Sequence, residues 1–169
     1  MYDTSEASAD ALQAASLAKS DLNFLGMLTS PEEFTFGFPL FYITLFHMLT
    51  SFKNKLERFA IGIPRGFAKT TFLKLLCVWY ILFSTKRFIL IVGASEDLAV
   101  NTLSDISDFL GSPNMRKLFG NWQADCEVDT QRLKVFNFRG RSVVLRAIGA
   151  GTAVRGINRK STRPDVIIM

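Results

Sequence analysis

A chain of 169 residues, 49% of them apolar, can bury one sizeable core, which points to a single globular unit. No apolar run reaches the roughly 18 residues of a membrane span, and a lone histidine, His47, all but excludes His-rich metal sites and Ser-His-Asp triads. The net charge of +5 is unevenly placed: residues 1–50 hold six acids against Lys19 alone, whereas residues 132–163 hold nine Lys or Arg and no acid. That asymmetry suits a polyanionic partner, nucleic acid or phosphate, and equally a solvated basic face. Met1-Tyr-Asp-Thr-Ser-Glu has no basic start followed by an apolar run, so no secretory signal is visible. Cys77 and Cys126 lie far apart without metal-ligand spacing and read as free thiols of a reducing cytoplasm.

In chain order, the Ala-rich residues 5–19 read as a helix. Ser30-Pro31-Glu32-Glu33 reads as a helix start, with Ser as N-cap, Pro in the first position and Glu three residues after the cap. Gly37 and Pro39 then keep that helix short. Residues 40–52 are expected as a second helix with Leu40, Ile43, His47 and Leu49 or Phe52 on one face, which makes His47 a core histidine. From Phe59 onward short apolar runs alternate with helical segments, the pattern of a parallel α/β sheet. Residues 59–63 and 88–92 are expected as buried strands, and 70–83 as the helix between them. Ser95 caps a helix to residue 110 with Ala99, Leu103, Ile106 and Leu110 inward, and Gly111-Ser-Pro ends it. Residues 133–138 and 142–147 flank Arg139-Gly140-Arg141 as a hairpin, and residues 165–169 open a third apolar strand. Trp79, Tyr80, Phe136 and Phe138 read as core. Trp122 anchors either a loop or a partner.

Gly62-Ile-Pro-Arg-Gly-Phe-Ala-Lys-Thr-Thr71 lies between an expected strand and an expected helix, the context of a phosphate loop. Such a loop needs inward-turned amides, a helix N-terminus facing the anion, a Lys for the β/γ oxygens and a hydroxyl for Mg²⁺. Gly66, Ala68, Lys69 and Thr70 suit those roles. The common pattern G-x-x-x-x-G-K-[ST] has glycines where this chain has Ile63 and Ala68. An ordinary strand-to-helix turn with a surface lysine is the competing reading. Arg65, four residues before Lys69, suits a γ-phosphate or developing charge, and also suits open solvent.

Pro64-Arg-Gly-Phe-Ala-Lys-Thr-Thr71 resembles the variant phosphate loop, with Arg at its start, of the large terminase subunits of tailed bacteriophages. Ile89-Leu-Ile-Val-Gly-Ala-Ser-Glu-Asp-Leu-Ala99 is similar to the strand and helix start that follow that loop. Asn114-Met-Arg-Lys-Leu-Phe-Gly120 is similar to the family's short helical link. Gly149-Ala-Gly-Thr-Ala-Val-Arg-Gly156 and Arg163-Pro-Asp-Val-Ile-Ile-Met169 resemble its Gly-rich loop and the approach to Walker B. The four stretches occur in family order from Phe59 to Met169.

The resemblance implies an α/β fold of the RecA-like P-loop NTPase type, a mainly parallel sheet flanked by helices. It divides the chain into an N-terminal helical segment (1–52) and an ATPase core (53–169). It implies ATP and Mg²⁺ as cofactors, held by Gly66, Phe67, Ala68, Lys69, Thr70 and Thr71, with Thr70 on the metal. Lys69, the loop arginine Arg65 and a trans-acting Arg155 are its catalytic residues, with Arg159 and Arg163 competing for the last role. Implied partners are double-stranded DNA, a small terminase subunit, a portal protein and further copies in a ring, in the cytoplasm of an infected bacterial host and with no membrane. The family's Walker B acids follow a run like Val166-Ile-Ile-Met169, and Asp165, at the start of that run, is not one of them. The resemblance therefore implies a chain truncated before those acids and before the nuclease domain, one that binds ATP and hydrolyses it poorly. Family members often read adenine with a Gln upstream of the loop; no Gln lies between Gln13 and the loop here, leaving His47 or an aromatic as substitutes. Other P-loop enzymes, such as a helicase or a small-molecule kinase, and a non-catalytic nucleotide- or DNA-binding module are the alternatives.

Overall fold

The computed structural model describes residues 4–51, 58–152, 157–159 and 162–169. In chain order the elements are α1 (Thr4–Ser20), α2 (Leu22–Thr29), α3 (Leu40–Ser51), α4 (Lys69–Phe83), β1 (Phe88–Gly93), α5 (Glu96–Gly111), α6 (Pro113–Phe119), β2 (Cys126–Asp129), β3 (Leu133–Phe138), β4 (Arg141–Gly149) and β5 (Val166–Ile168). A 3-10 turn, Trp122–Asp125, precedes β2.

The strands form one sheet in the order β2-β3-β4-β1-β5. β1 lies between β4 and β5 and runs parallel to both, with Ile89 opposite Leu145 on one side and Val166 on the other. The chain is α/β, as the alternation of elements predicts, but the sheet is mixed rather than mainly parallel, because β2–β3 and β3–β4 pair antiparallel. The cause is local. Arg139 and Gly140 have φ of 52° and 75°, the two left-handed residues of a type I′ hairpin turn. That turn folds β4 directly back along β3, so the hairpin legible in the sequence commits half of the sheet to antiparallel pairing.

Strand periodicity then divides the core. Ile89 and Ile91 of β1, with Val143, Leu145 and Ala147 of β4, face the helices and join one large cluster. Phe88, Val144 and Val135 face the other way and form a smaller one with Ile157 packed against it. The large cluster takes Ala18, Leu22 and Leu25 from α1 and α2, Tyr42, Phe46 and Leu49 from α3, and Phe72, Leu75 and Val78 from α4. The N-terminal helices thus share a core with the sheet-packing ones. Trp79 Nε1 donates to Lys19 O at 2.8 Å, and Ser112 Oγ to Leu28 O at 3.0 Å, binding the two regions further. α5 forms as expected: Ser95 Oγ accepts from Leu98 N at 3.3 Å, and Ala99, Leu103, Ile106 and Leu110 are all buried. Burying each of the three larger side chains is worth about 1.5–3 kcal/mol.

Four expectations fail. Residues 59–63 form no strand; Phe59 and Ile61 are 44% and 37% exposed. An apolar run becomes a strand only when an edge pairs with it, and β5, at the border of the sheet, offers only three residues of ladder. Ser30 does not start a helix. It is the C-cap of α2, and a single turn follows, with the amides of Glu33 and Phe34 donating to Ser30 O. On α3 the buried face is Tyr42, Phe46 and Leu49, so Leu40 and His47 are exposed. The bulky aromatic pair has more area to bury and sets the helix's rotation. His47 is accordingly no core histidine.

Candidate functional site

The turn before α4 is shaped by two left-handed residues. Gly66 has φ 86°, and Ala68, the N-cap of α4, has φ 53° and ψ 29°. Glycine adopts such angles freely; for alanine they cost roughly 1–2 kcal/mol. Ala68 therefore occupies, under strain, the position where the common phosphate-loop pattern has glycine. Lys69, the first residue of α4, curls back so that Nζ donates to the carbonyl of Ile63. This closes the loop around the ammonium group. Residues 65–66 form a tight turn, and the first helical bond of α4 runs from Phe72 N to Ala68 O at 3.0 Å. The result is a tight turn at the positive end of a 15-residue helix, whose first amides lack intrahelical partners, with the Lys69 ammonium drawn back onto the turn. Arg65 and Thr70 are exposed on this turn, Phe67 is half-exposed and Thr71 half-buried.

The loop is braced by a residue the sequence reading passed over. Tyr42 Oη, on α3, donates to Phe67 O, and burial raises the pKa of that hydroxyl. Tyr42 also packs against Phe72 (centroids 4.8 Å apart) and Phe38 (5.3 Å). Phe38 N in turn donates to Asn23 Oδ1 at 2.7 Å. Between this segment and the loop lies a cleft of about 340 Å³, lined on one side by Phe36, Phe38 and Tyr42 and on the other by Gly66, Phe67 and Thr71. The available signal was the alternation Phe34-Thr-Phe-Gly-Phe38, a dense aromatic cluster just ahead of the loop.

Helix α4 ends beside the start of β4, where Arg141 donates to Ile81 O at 2.9 Å and to Leu82 O at 3.4 Å. Its N-terminus and the loop consequently point toward the carboxyl ends of the parallel strands, the edge at which open α/β sheets bind ligands. At that edge α5 starts directly over β1 and β4. A Cβ on Gly93 would lie 2.6 Å from Ser95 O, and one on Gly149 would lie 2.9 Å from Glu96 N. Asp165 sits at the opposite edge. Its carboxylate accepts from Arg87 N (2.9 Å) and Phe88 N (3.0 Å), clamping β5 to the start of β1. That is a structural duty.

The acid-free basic stretch does not stay free. Arg132 pairs with Glu96, Lys134 with Asp129 and Arg159 with Glu127. Arg139 donates to Leu82 O and lies over the Phe119 ring, and Arg141 caps α4 as described. Arg155 lies outside the described residues. Of its two competitors, Arg159 is held in its ion pair and Arg163 is exposed. Among the described residues no group of three or more His, Cys, Asp or Glu is arranged to hold a metal ion, and no helix is long and apolar enough to cross a membrane. Trp122 is buried against Phe136 at 5.0 Å and serves the core.

Comparison of the chain with protein-family models, with curated proteins and with solved structures finds no match to any of them.

Proposed function

We propose that this chain is the ATP-binding part of a viral DNA-packaging motor of the large terminase type, built on a RecA-like P-loop core. The observation that carries the proposal is Lys69 curled inside a loop with left-handed residues at Gly66 and Ala68, at the N-terminus of α4. An ordinary strand-to-helix turn has no use for a strained alanine and an inward lysine. In this reading the amides of residues 66–71 and the Lys69 ammonium hold the β/γ-phosphates. Thr70 offers its hydroxyl to Mg²⁺, whose remaining ligands are phosphate oxygens and water. Arg65 neutralises charge at the terminal phosphate, and Arg155 serves a neighbouring subunit's nucleotide in a ring. DNA, a small terminase subunit and a portal are the partners proposed, in the cytoplasm of an infected bacterium.

Among the described residues no carboxylate bonds to Lys69 or Thr70, so turnover by this chain is proposed to be slow. The same observation favours a second reading, a nucleotide-binding module without catalysis, and binding is therefore the quantity to measure. A fluorescent ATP analogue with Mg²⁺ should bind saturably, and Lys69→Ala should weaken it by about 10- to 100-fold, the value of a lost charge-assisted contact. Absence of binding by a chain whose circular dichroism shows it folded would remove both readings.

A further inference from the structure

We infer that the aromatic cleft beside the loop receives the base of the bound nucleotide by stacking, and accepts guanine at least as well as adenine. This inference rests on the nucleotide reading of the loop and adds to it the recognition of the base. Continuity is the first argument. Gly66, Phe67, Ala68 and Thr71 line the cleft, so a ligand with phosphates on the loop has its remaining part directed along these walls. Its volume, about 340 Å³, falls within the range of roughly 300–1,000 Å³ typical of small-molecule sites.

The second argument is which rings are left over. Phe34, Phe38, Tyr42 and Phe72 are engaged with one another, edge-on or tilted, at centroid distances of 4.8–6.4 Å. Phe36 stands apart, 88% exposed, and Phe67 is 49% exposed across the cleft. A flat base between or against these two rings covers apolar surface that otherwise faces water. Base–aromatic stacking is worth about 1–3 kcal/mol, which is about 5- to 150-fold in affinity.

The third argument concerns selectivity. Favouring adenine over guanine takes a donor and an acceptor aimed at the base edge, as an Asn or Gln amide supplies. No Asn or Gln lines this cleft, and the Thr71 hydroxyl lies on its loop side, where the phosphates are placed. Asn23 lies behind it with its oxygen bonded to Phe38 N, and the Tyr42 hydroxyl is committed to Phe67 O. Glu33 offers only acceptors, which match the adjacent N1–H and N2–H donors of guanine and meet a single N–H on the adenine edge, so an edge contact here favours guanine. Every base has a π-face, so stacking alone does not discriminate. The walls are preorganised, since Tyr42 ties one to the other.

The test measures binding of ribose-labelled ATP and GTP analogues with Mg²⁺, and competition by inorganic tripolyphosphate. GTP should bind at least as tightly as ATP, and both at least about fivefold more tightly than tripolyphosphate. Phe36→Ala should bring both nucleotides toward the tripolyphosphate value while leaving tripolyphosphate affinity unchanged. Because Phe36 is almost wholly exposed, that variant keeps the core intact. Tripolyphosphate competing as well as ATP overturns the inference and leaves the phosphate loop standing. A preference for ATP over GTP overturns it as well, by requiring an edge contact that reads adenine. If neither nucleotide nor tripolyphosphate binds, the reading of the loop fails first and takes this inference with it.

Discussion

At the scale of single residues, the site depends on positions whose side chains are small or absent. Gly93 and Gly149 end two neighbouring parallel strands, and both stand where a Cβ would run into the backbone at the start of α5. Backbone yields less readily than a side-chain tip, so Gly93→Ala should cost about 1–3 kcal/mol, the usual toll of overpacking. Urea unfolding would show it as a lower midpoint at unchanged m-value. No loss would mean that α5 is free to lift from the sheet. Tyr42 shows the complementary case. Its ring belongs to the core while its hydroxyl holds a loop carbonyl 25 residues along the chain, so one side chain couples packing to the geometry of the site.

At the scale of elements, arginines decide how α4 is held. A helix leaves its last carbonyls without partners. Here Arg139, in the hairpin turn, and Arg141, just after it, supply donors to Ile81 and Leu82, and their charge also suits the negative end of the helix. Burial and the neighbouring cations Arg139 and Arg87 hold the Arg141 pKa below its ordinary value. Arg132 is different, since it meets Glu96 at the surface with most of its side chain in water. Arg141→Ala should therefore cost about 1–2 kcal/mol, and Arg132→Ala no more than about 0.5–1 kcal/mol. Thermal unfolding of the two variants side by side checks the order. Equal losses would show that the cap contributes no more than a surface pair.

At the scale of the whole molecule, charge that looks free along the chain is largely spent within the fold. Five of the nine cations between Arg132 and Arg163 are tied to acids or to helix carbonyls. The proposed binding of double-stranded DNA, if it runs through this stretch, should thus depend on salt no more steeply than four cations allow. That limit is a slope of about −4 in log K against log salt, where nine would give about −8. Fluorescence anisotropy across a salt series measures it. A slope near the larger value would mean that the ion pairs open on DNA.

The sequence by itself determined the elements whose causes are local. Ser95 and the spacing of Ala99, Leu103, Ile106 and Leu110 specified α5, Arg139-Gly140 specified the hairpin, and Lys69-Thr-Thr after Ala68 marked the start of a helix below a phosphate-like turn. Caps, turns and periodicity act within a few residues, so they are readable in one dimension. What only the tertiary structure decided was everything set by partners far along the chain. Residues 59–63 are as apolar as β1 yet form no strand, because a strand is made by its neighbour and the adjacent edge is three residues long. α3 turned Tyr42 and Phe46 inward, and His47 out, because its rotation is fixed by the ring surface available to bury and not by its own periodicity. Three cations of the basic stretch were paired by Glu96, Asp129 and Glu127, and the aromatic cleft arose only when residues 33–39 folded against a loop some thirty positions away. Pairing, burial and charge compensation are contact properties, and contacts across such separations come into being only with the fold.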